Sequence, residues 1–218
     1  MQNAKIQKNQ NSRKNLYILV ECAVMVALAV VLSYFKIYNA PLGGSVTLFS
    51  MVPVIIIGLR HGPFWGFATA FVYSLTQFMF DVSKLSGWGV AGAKNMLICI
   101  LFDYIIAFTI LGVSGFFKPA VDKTPQRSKK IIVTVIAALT VCVLRYISHL
   151  ISGAVLWYSI TKAWSSPDDY IQTVGAWVYS AVYNMQYMLP ETIITLIAAP
   201  AVVTILSVIN NQRKNSAQ

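Results

Sequence analysis

Between Leu16 and Phe35 the chain carries a single charged side chain, Glu21, in an otherwise apolar run. A helix needs about 20 such residues to cross the roughly 30 Å hydrocarbon layer of a bilayer. Comparable runs recur along the whole chain, and that recurrence leaves few folds open. Helices are predicted over 16–35, 46–59, 63–80, 95–117, 130–158 and 176–209. The second is short and contains Pro53; the last is interrupted by Pro190 and Pro200. The expected fold class is an all-α membrane protein with six transmembrane helices. Apolar residues make up 57% of the chain and charged residues 11%, against about 25% charged in soluble domains. A soluble globule of this composition would expose large apolar patches. The first run follows a basic segment, as a signal peptide would. It exceeds the usual hydrophobic core of about 7–15 residues and no small-x-small site follows, so a retained helix is expected.

The net charge of +10 raises nucleic acid as a partner. The basic residues sit in tails and short connections, not in a patch, so the expected partner is the lipid bilayer and no nucleic acid. With the N-terminus cytoplasmic, the inside segments hold Lys5, Lys8, Arg13, Lys14, Arg60, Lys118, Lys123, Arg127, Lys129, Lys130, Arg213 and Lys214. The outside segments hold Lys36, Lys84, Lys94 and Lys162, and Arg145 lies within a helix. This bias predicts both termini in the cytoplasm. The expected organisation is a basic N-terminal tail (1–15), a six-helix transmembrane domain (16–209) and a C-terminal tail (210–218).

Positive signs of an enzyme are missing. No GxxxxGK[ST], HExxH or GxSxG occurs, so neither a P-loop, a zinc protease site nor a nucleophile elbow is expected. Cys22, Cys99 and Cys142 lie in separate apolar runs, which suits buried small hydrophobes better than a metal site or disulfides. No internal repeat supports an inverted-repeat transporter. The reading is therefore no enzyme, no catalytic residue, no metal and no cofactor.

Ionisable groups in hydrocarbon cost a few kcal/mol and need a partner or a purpose. Helix 1 carries Glu21 and the pattern Ala23-x-x-x-Ala27, which suits either packing within the chain or docking of another subunit. Helix 4 carries Asp103 and Tyr104 in LFDYIIAF; Asp103 can neutralise a cationic ligand or pair with Arg145. On helix 5, Arg145, His149, Gly153 and Trp157 recur every four residues and share one drifting face. There Gly153 would let a ligand lie against the backbone. On helix 6, Tyr179, Tyr183 and Tyr187 form a second stripe, with Asn184 and Glu191 beside it. Asn184 suits the edge of a heterocycle or a neighbouring helix. The loops holding Trp88, Trp164, Asp168 and Asp169 can cap an outward pocket, or the indoles can anchor at the interface. A carboxylate, aromatic faces, an imidazole and an amide together suit a flat, cationic, nitrogen-rich heterocycle.

These segments resemble the thiamine-specific substrate-binding subunits (S-components) of energy-coupling factor (ECF) transporters, the ThiT/YuaJ family. The resemblance covers nearly all of 16–209 and rests on ECAVMVALAV, PLGGSV, LFDYIIAFTILGVSG, LRYISHLISGAVLW and VYSAVYNMQYMLP. It implies six helices around an outward-facing thiamine pocket capped by the first outer loop. The matching substrate-binding residues are Asp103, Tyr104, Arg145, His149, Gly153, Trp157, Tyr179 and Asn184. Ala23 and Ala27 match the motif that docks on partner subunits, namely a transmembrane coupling protein and two cytoplasmic ATPases. Asp103 stands where some relatives carry Glu, and the loop 36–45 contains Tyr38 but no Trp. The resemblance implies high-affinity thiamine binding for ABC-type vitamin uptake at a bacterial cell membrane. The rival readings are the same fold with another vitamin or a thiamine precursor, and a stand-alone proton-coupled transporter using Asp103, His149 and Glu191.

Overall fold

A computed structural model describes the backbone of residues 2–215 and the side chains of residues 12–209, 211 and 212. Lys5, Lys8, Arg213 and Lys214, which entered the charge bias, lie outside the described side chains. The first helix, α1 (Gln2–Tyr34), reaches back into the basic tail. Strands β1 (Lys36–Asn39) and β2 (Ser45–Thr47) follow as an antiparallel hairpin. Then come α2 (Val52–His61), α3 (Pro63–Asp81), α4 (Ala93–Lys123), α5 (Arg127–Trp164), α6 (Ala176–Ile197) and α7 (Ala199–Asn215).

Among the described residues, three stretches are long and apolar enough to cross a bilayer: Ser12–Tyr34, α4 and α5. Residues Ala176–Ile197 and Ala199–Ile209, bent by 40°, form a fourth. The break precedes Pro200 and not Pro190, which stays inside α6. Pro190 removes one ladder donor from a helix already held by its neighbours, whereas Pro200 sits in the first turn of a new helix, where its missing N–H is harmless.

The second expected helix is corrected. Residues 45–47 are a strand, and α2 starts at Val52 with Pro53 in its first turn. Val46 and Thr47 are β-branched, and the segment pairs with β1 across the register Tyr38↔Val46 and Asn39↔Ser45, which outweighs its helical spacing. With 10 residues, α2 rises only about 15 Å, half of a bilayer core. It can be so short because it is enclosed on all sides: Pro53 through Leu59 are all buried. Around it, Met51, Val54, Ile55, Leu59, Tyr73, Leu111, Ala138, Val141 and Val202 form the main core. Before it in the chain come the hairpin and the irregular residues 48–51, which cover a hollow between α3, α4, α5 and α6.

Two helices leave α geometry beside this hollow. Ile100–Ile106 of α4 and Gly153–Trp157 of α5 are π-helical turns, a departure that often marks functional sites. A π turn spoils part of the carbonyl ladder, and here a neighbour repairs it: Ser148 Oγ donates to the Phe102 carbonyl at 2.6 Å. Cys22, Cys99 and Cys142 are buried and unpaired.

Candidate functional site

The hollow gathers Asp103, Tyr104, Arg145, His149, Gly153, Trp157, Tyr179 and Asn184 along one wall system. All eight sequence-derived candidates therefore meet in one place. What each does there differs in several cases from the spacing argument.

Asp103 is the hub. Its Oδ1 lies 3.0 Å from His149 Nδ1, and its Oδ2 accepts from Ser152 Oγ at 2.5 Å and Trp157 Nε1 at 2.8 Å. An indole N–H can only donate, so this oxygen acts as an acceptor. The considered ion pair with Arg145 does not form. Arg145 instead sends Nη1 to Met51 Sδ at 2.9 Å and sets its guanidinium 4.4 Å from the Phe108 ring centroid. It lies one turn before His149 on the same face of α5, and its guanidinium is engaged by Met51 and Phe108 instead of Asp103. Among the described residues, no lysine or arginine pairs with Asp103, and the carboxylate is held by hydrogen bonds.

Two buried polar atoms in this wall have no hydrogen-bond partner among the described residues, Arg145 Nε and His149 Nε2. Buried polar atoms are rarely left unpaired. Both residues line the hollow.

Gly153 has a different reason from the one its spacing suggested. A Cβ there would collide with Ser180 Oγ and come within 2.9 Å of Asn184 Nδ2. Its bareness serves the crossing of α5 and α6 before it serves any ligand. Asn184 ties the same crossing. Its Nδ2 donates to the His149 carbonyl at 3.1 Å and the Ser180 carbonyl at 2.9 Å, while its Oδ1 accepts from Tyr187 at 2.5 Å. One lone pair of Oδ1 remains for other use.

Aromatic rings complete the walls. Tyr179 and Tyr183 stack at 5.9 Å with a 23° tilt, and Trp88 meets Trp157 edge to face at 6.4 Å. Tyr104 donates to Asp81 Oδ2 at 3.3 Å, and Lys84 holds the other oxygen at 2.6 Å. The hairpin turn closes the top: Leu42 N–H donates to Tyr183 Oη at 2.9 Å. Gly43, at φ 93°, lies under the Trp88 indole, and Gly44 lies against the Tyr187 ring.

Several lining residues were not among the sequence candidates: Asp81, Trp88, Tyr183 and Tyr187. The tyrosines were visible as a stripe, and Trp88 had two open readings. Ser152, three residues after His149 and so on the same face, was findable by that rule. Trp164 stays outside the hollow, exposed and covering Gly89. Midway along the apolar part of α1, Ala23 and Ala27 face outward with Val20, Val24, Leu28 and Val31, whereas Ala29 is buried. The alanine pair therefore lies on the exposed face of α1. Glu21 beside it holds Arg60 and, at 3.0 Å, His61.

Fold and hollow together define a multi-pass helical membrane protein with an aromatic, carboxylate-bearing ligand cavity. The chain belongs to the thiamine transporter protein family (Thia_YuaJ), whose model matches residues 19–211. The thiamine transporter ThiT of Bacillus subtilis (strain 168) is 35% identical over 192 residues, covering 86% of this chain and 90% of the relative. ThiT of Lacticaseibacillus paracasei is 24% identical over 195 residues, covering 88% and 89%. The solved structure of ThiT from Listeria monocytogenes superposes with a TM-score of 0.68 at 26% identity, over 88% of this chain and 96% of that one.

Proposed function

We propose that this chain captures thiamine in the hollow and delivers it as the substrate-binding subunit of an ECF uptake transporter in a bacterial cell membrane. The carrying observation is Asp103: a largely enclosed carboxylate, its side chain 14% exposed, with no lysine or arginine partner among the described residues and set among aromatic faces. Such a group attracts a desolvated cation strongly, because little water screens it. The thiazolium ring of thiamine supplies a delocalised cation, and the Tyr179, Tyr183 and Trp157 walls suit its flat rings. The aminopyrimidine, with both donors and acceptors, suits His149 Nε2 and the free lone pair of Asn184. Arg145 Nε, a donor only, suits the hydroxyethyl oxygen.

Nothing is cleaved in this scheme. The hairpin end of the bundle faces outward and both termini face the cytoplasm, consistent with the lysine and arginine bias. All six helices, α7 counted with α6, contribute to the crossing. The exposed Ala23–Ala27 face of α1 is the surface for the transmembrane coupling subunit, and two ATPases supply the energy.

Purified protein should quench its tryptophan fluorescence on thiamine addition, and thiamine should co-purify. A response to riboflavin or biotin without one to thiamine overturns the ligand. Ala27→Trp should leave thiamine affinity within about twofold while uptake falls to background, since a bulky ring blocks close helix approach. Uptake that survives removal of the ATPase subunits, and collapses with the proton gradient, overturns the coupling.

A further inference from the structure

Glu191 is the most deeply buried carboxylate of the chain, 2% exposed, and it does not reach the hollow. Leaving an ionisable group there needs a reason. Its partners supply one. Oε2 accepts from the Thr47 backbone N–H at 2.5 Å, and Oε1 accepts from Thr47 Oγ1 at 2.7 Å. Thr47 Oγ1 in turn lies 2.6 Å from Ser50 Oγ. Thr47 is the last residue of β2, where the hairpin ends and the irregular residues 48–51 begin. Backbone donors in such a stretch have no helix to satisfy them, and inside a membrane protein the protein itself must do so. Phe49 sits at φ 62°, a strained value for a bulky residue, so this stretch holds its shape only where its surroundings impose it.

The hairpin is thus held at two places of different character. Its foot is held by a carboxylate through Thr47, with Arg145 gripping Met51 four residues on. Its turn is held by one neutral hydrogen bond from Leu42 to Tyr183 and by ring contacts at Gly43 and Gly44. Hydrogen bonds to charged groups are worth roughly twice neutral ones. The foot is therefore the firm end and the turn the loose one.

We infer that Glu191 is a positioning residue for ligand capture: it pins the foot of the hairpin so that the lid opens at its turn and recloses in register over the hollow. The role of the hairpin as a lid over thiamine rests on the function proposed above. The pin itself is a property of the empty protein.

The test uses the full chain in detergent without ligand. Ala40 is buried with Val46, Tyr187 and Met188 under the closed hairpin, so Ala40→Cys reports lid opening by its maleimide labelling rate. Adding Glu191→Ala should speed that labelling by about tenfold or more, the loss expected for a charged hydrogen bond. Glu191→Gln should give a rate between those of the parent and Glu191→Ala, because the amide can still accept from the Thr47 N–H and donate to its hydroxyl but without the charge. The native cysteines, all buried, should stay unlabelled in every variant. Their labelling would mean general loosening and would overturn the inference, as would Glu191→Ala at the parent rate or Glu191→Gln as fast as Glu191→Ala. Should Glu191→Ala not fold, Thr47→Val removes the hydroxyl's contacts to Glu191 and Ser50, keeps the backbone one, and should give an intermediate rate; the parent rate there overturns the pin. A second arm measures thiamine release by fluorescence, expected to accelerate by the same factor with association little changed. A parent protein that binds no thiamine rejects the proposed function and leaves the labelling arm to decide the pin.

Discussion

The half of the bundle around α2 and the half around the hollow are built from the same apolar vocabulary and solve opposite problems. Around α2, large side chains such as Ile55, Leu59, Tyr73 and Leu111 fill space to exclusion, and α2 is regular from end to end. Around the hollow, two helices carry π turns, side chains repair backbone bonds, and Asp103, Ser152, Trp157 and His149 form one connected set. One half is specified by volume, the other by hydrogen-bond direction. Substitutions in the two halves should therefore separate affinity from stability.

The largest separation is expected at Asp103. Asp103→Asn keeps the shape and removes the charge, and should raise the thiamine Kd by about 100-fold, roughly 2.7 kcal/mol, while the melting temperature in detergent moves far less. An unchanged Kd, measured by fluorescence quenching, would remove Asp103 from the ligand's surroundings. Leu59→Ala should do the reverse. Leu59 is 1% exposed, and an unfilled cavity there should cost about 2 kcal/mol of stability with Kd within about twofold. A large loss of affinity in that variant would mean that the two halves are not separable. Gly153→Ala lies on the border. Its methyl group runs into Ser180 Oγ, so it should destabilise by about 1–2 kcal/mol, and Ser180→Gly in the same chain should recover most of that. Failure of this rescue would return Gly153 to a purely ligand-facing role.

Legibility in the sequence differed between the halves for physical reasons. Depth in the membrane is written in composition, so the long helices α1, α4 and α5 could be placed from their apolar runs. Facing is written in four-residue spacing, so Arg145, His149, Gly153 and Trp157 could be assigned to one side of α5. What spacing does not encode is which element lies opposite. Asp103 was assigned Arg145 or a ligand as partner because those are the complementary charges, whereas α4 and α5 cross at a register that offers His149, Ser152 and Trp157. Arg145 finds Met51, a residue with no charge pattern to announce it. Val46 and Thr47 read as the start of a helix because they lead into an apolar run, and only pairing with β1 reveals the strand at 45–47. Gly153 was assigned to a ligand because the neighbouring helix that needs the space is distant in sequence.

The π turn at Ile100–Ile106 has an evolutionary reach of its own. Such a turn takes up an extra residue in one widened loop of the ladder, so excising one would restore ordinary winding and leave the helix on either side with nearly the facing it has now. Asp103 and Tyr104 lie within the widened stretch, so that deletion would change which side chains meet His149 while Leu111 and the lower part of α4 kept their seating. A single-codon insertion or deletion can in this way re-dress one wall of the hollow and leave both ends of the helix undisturbed.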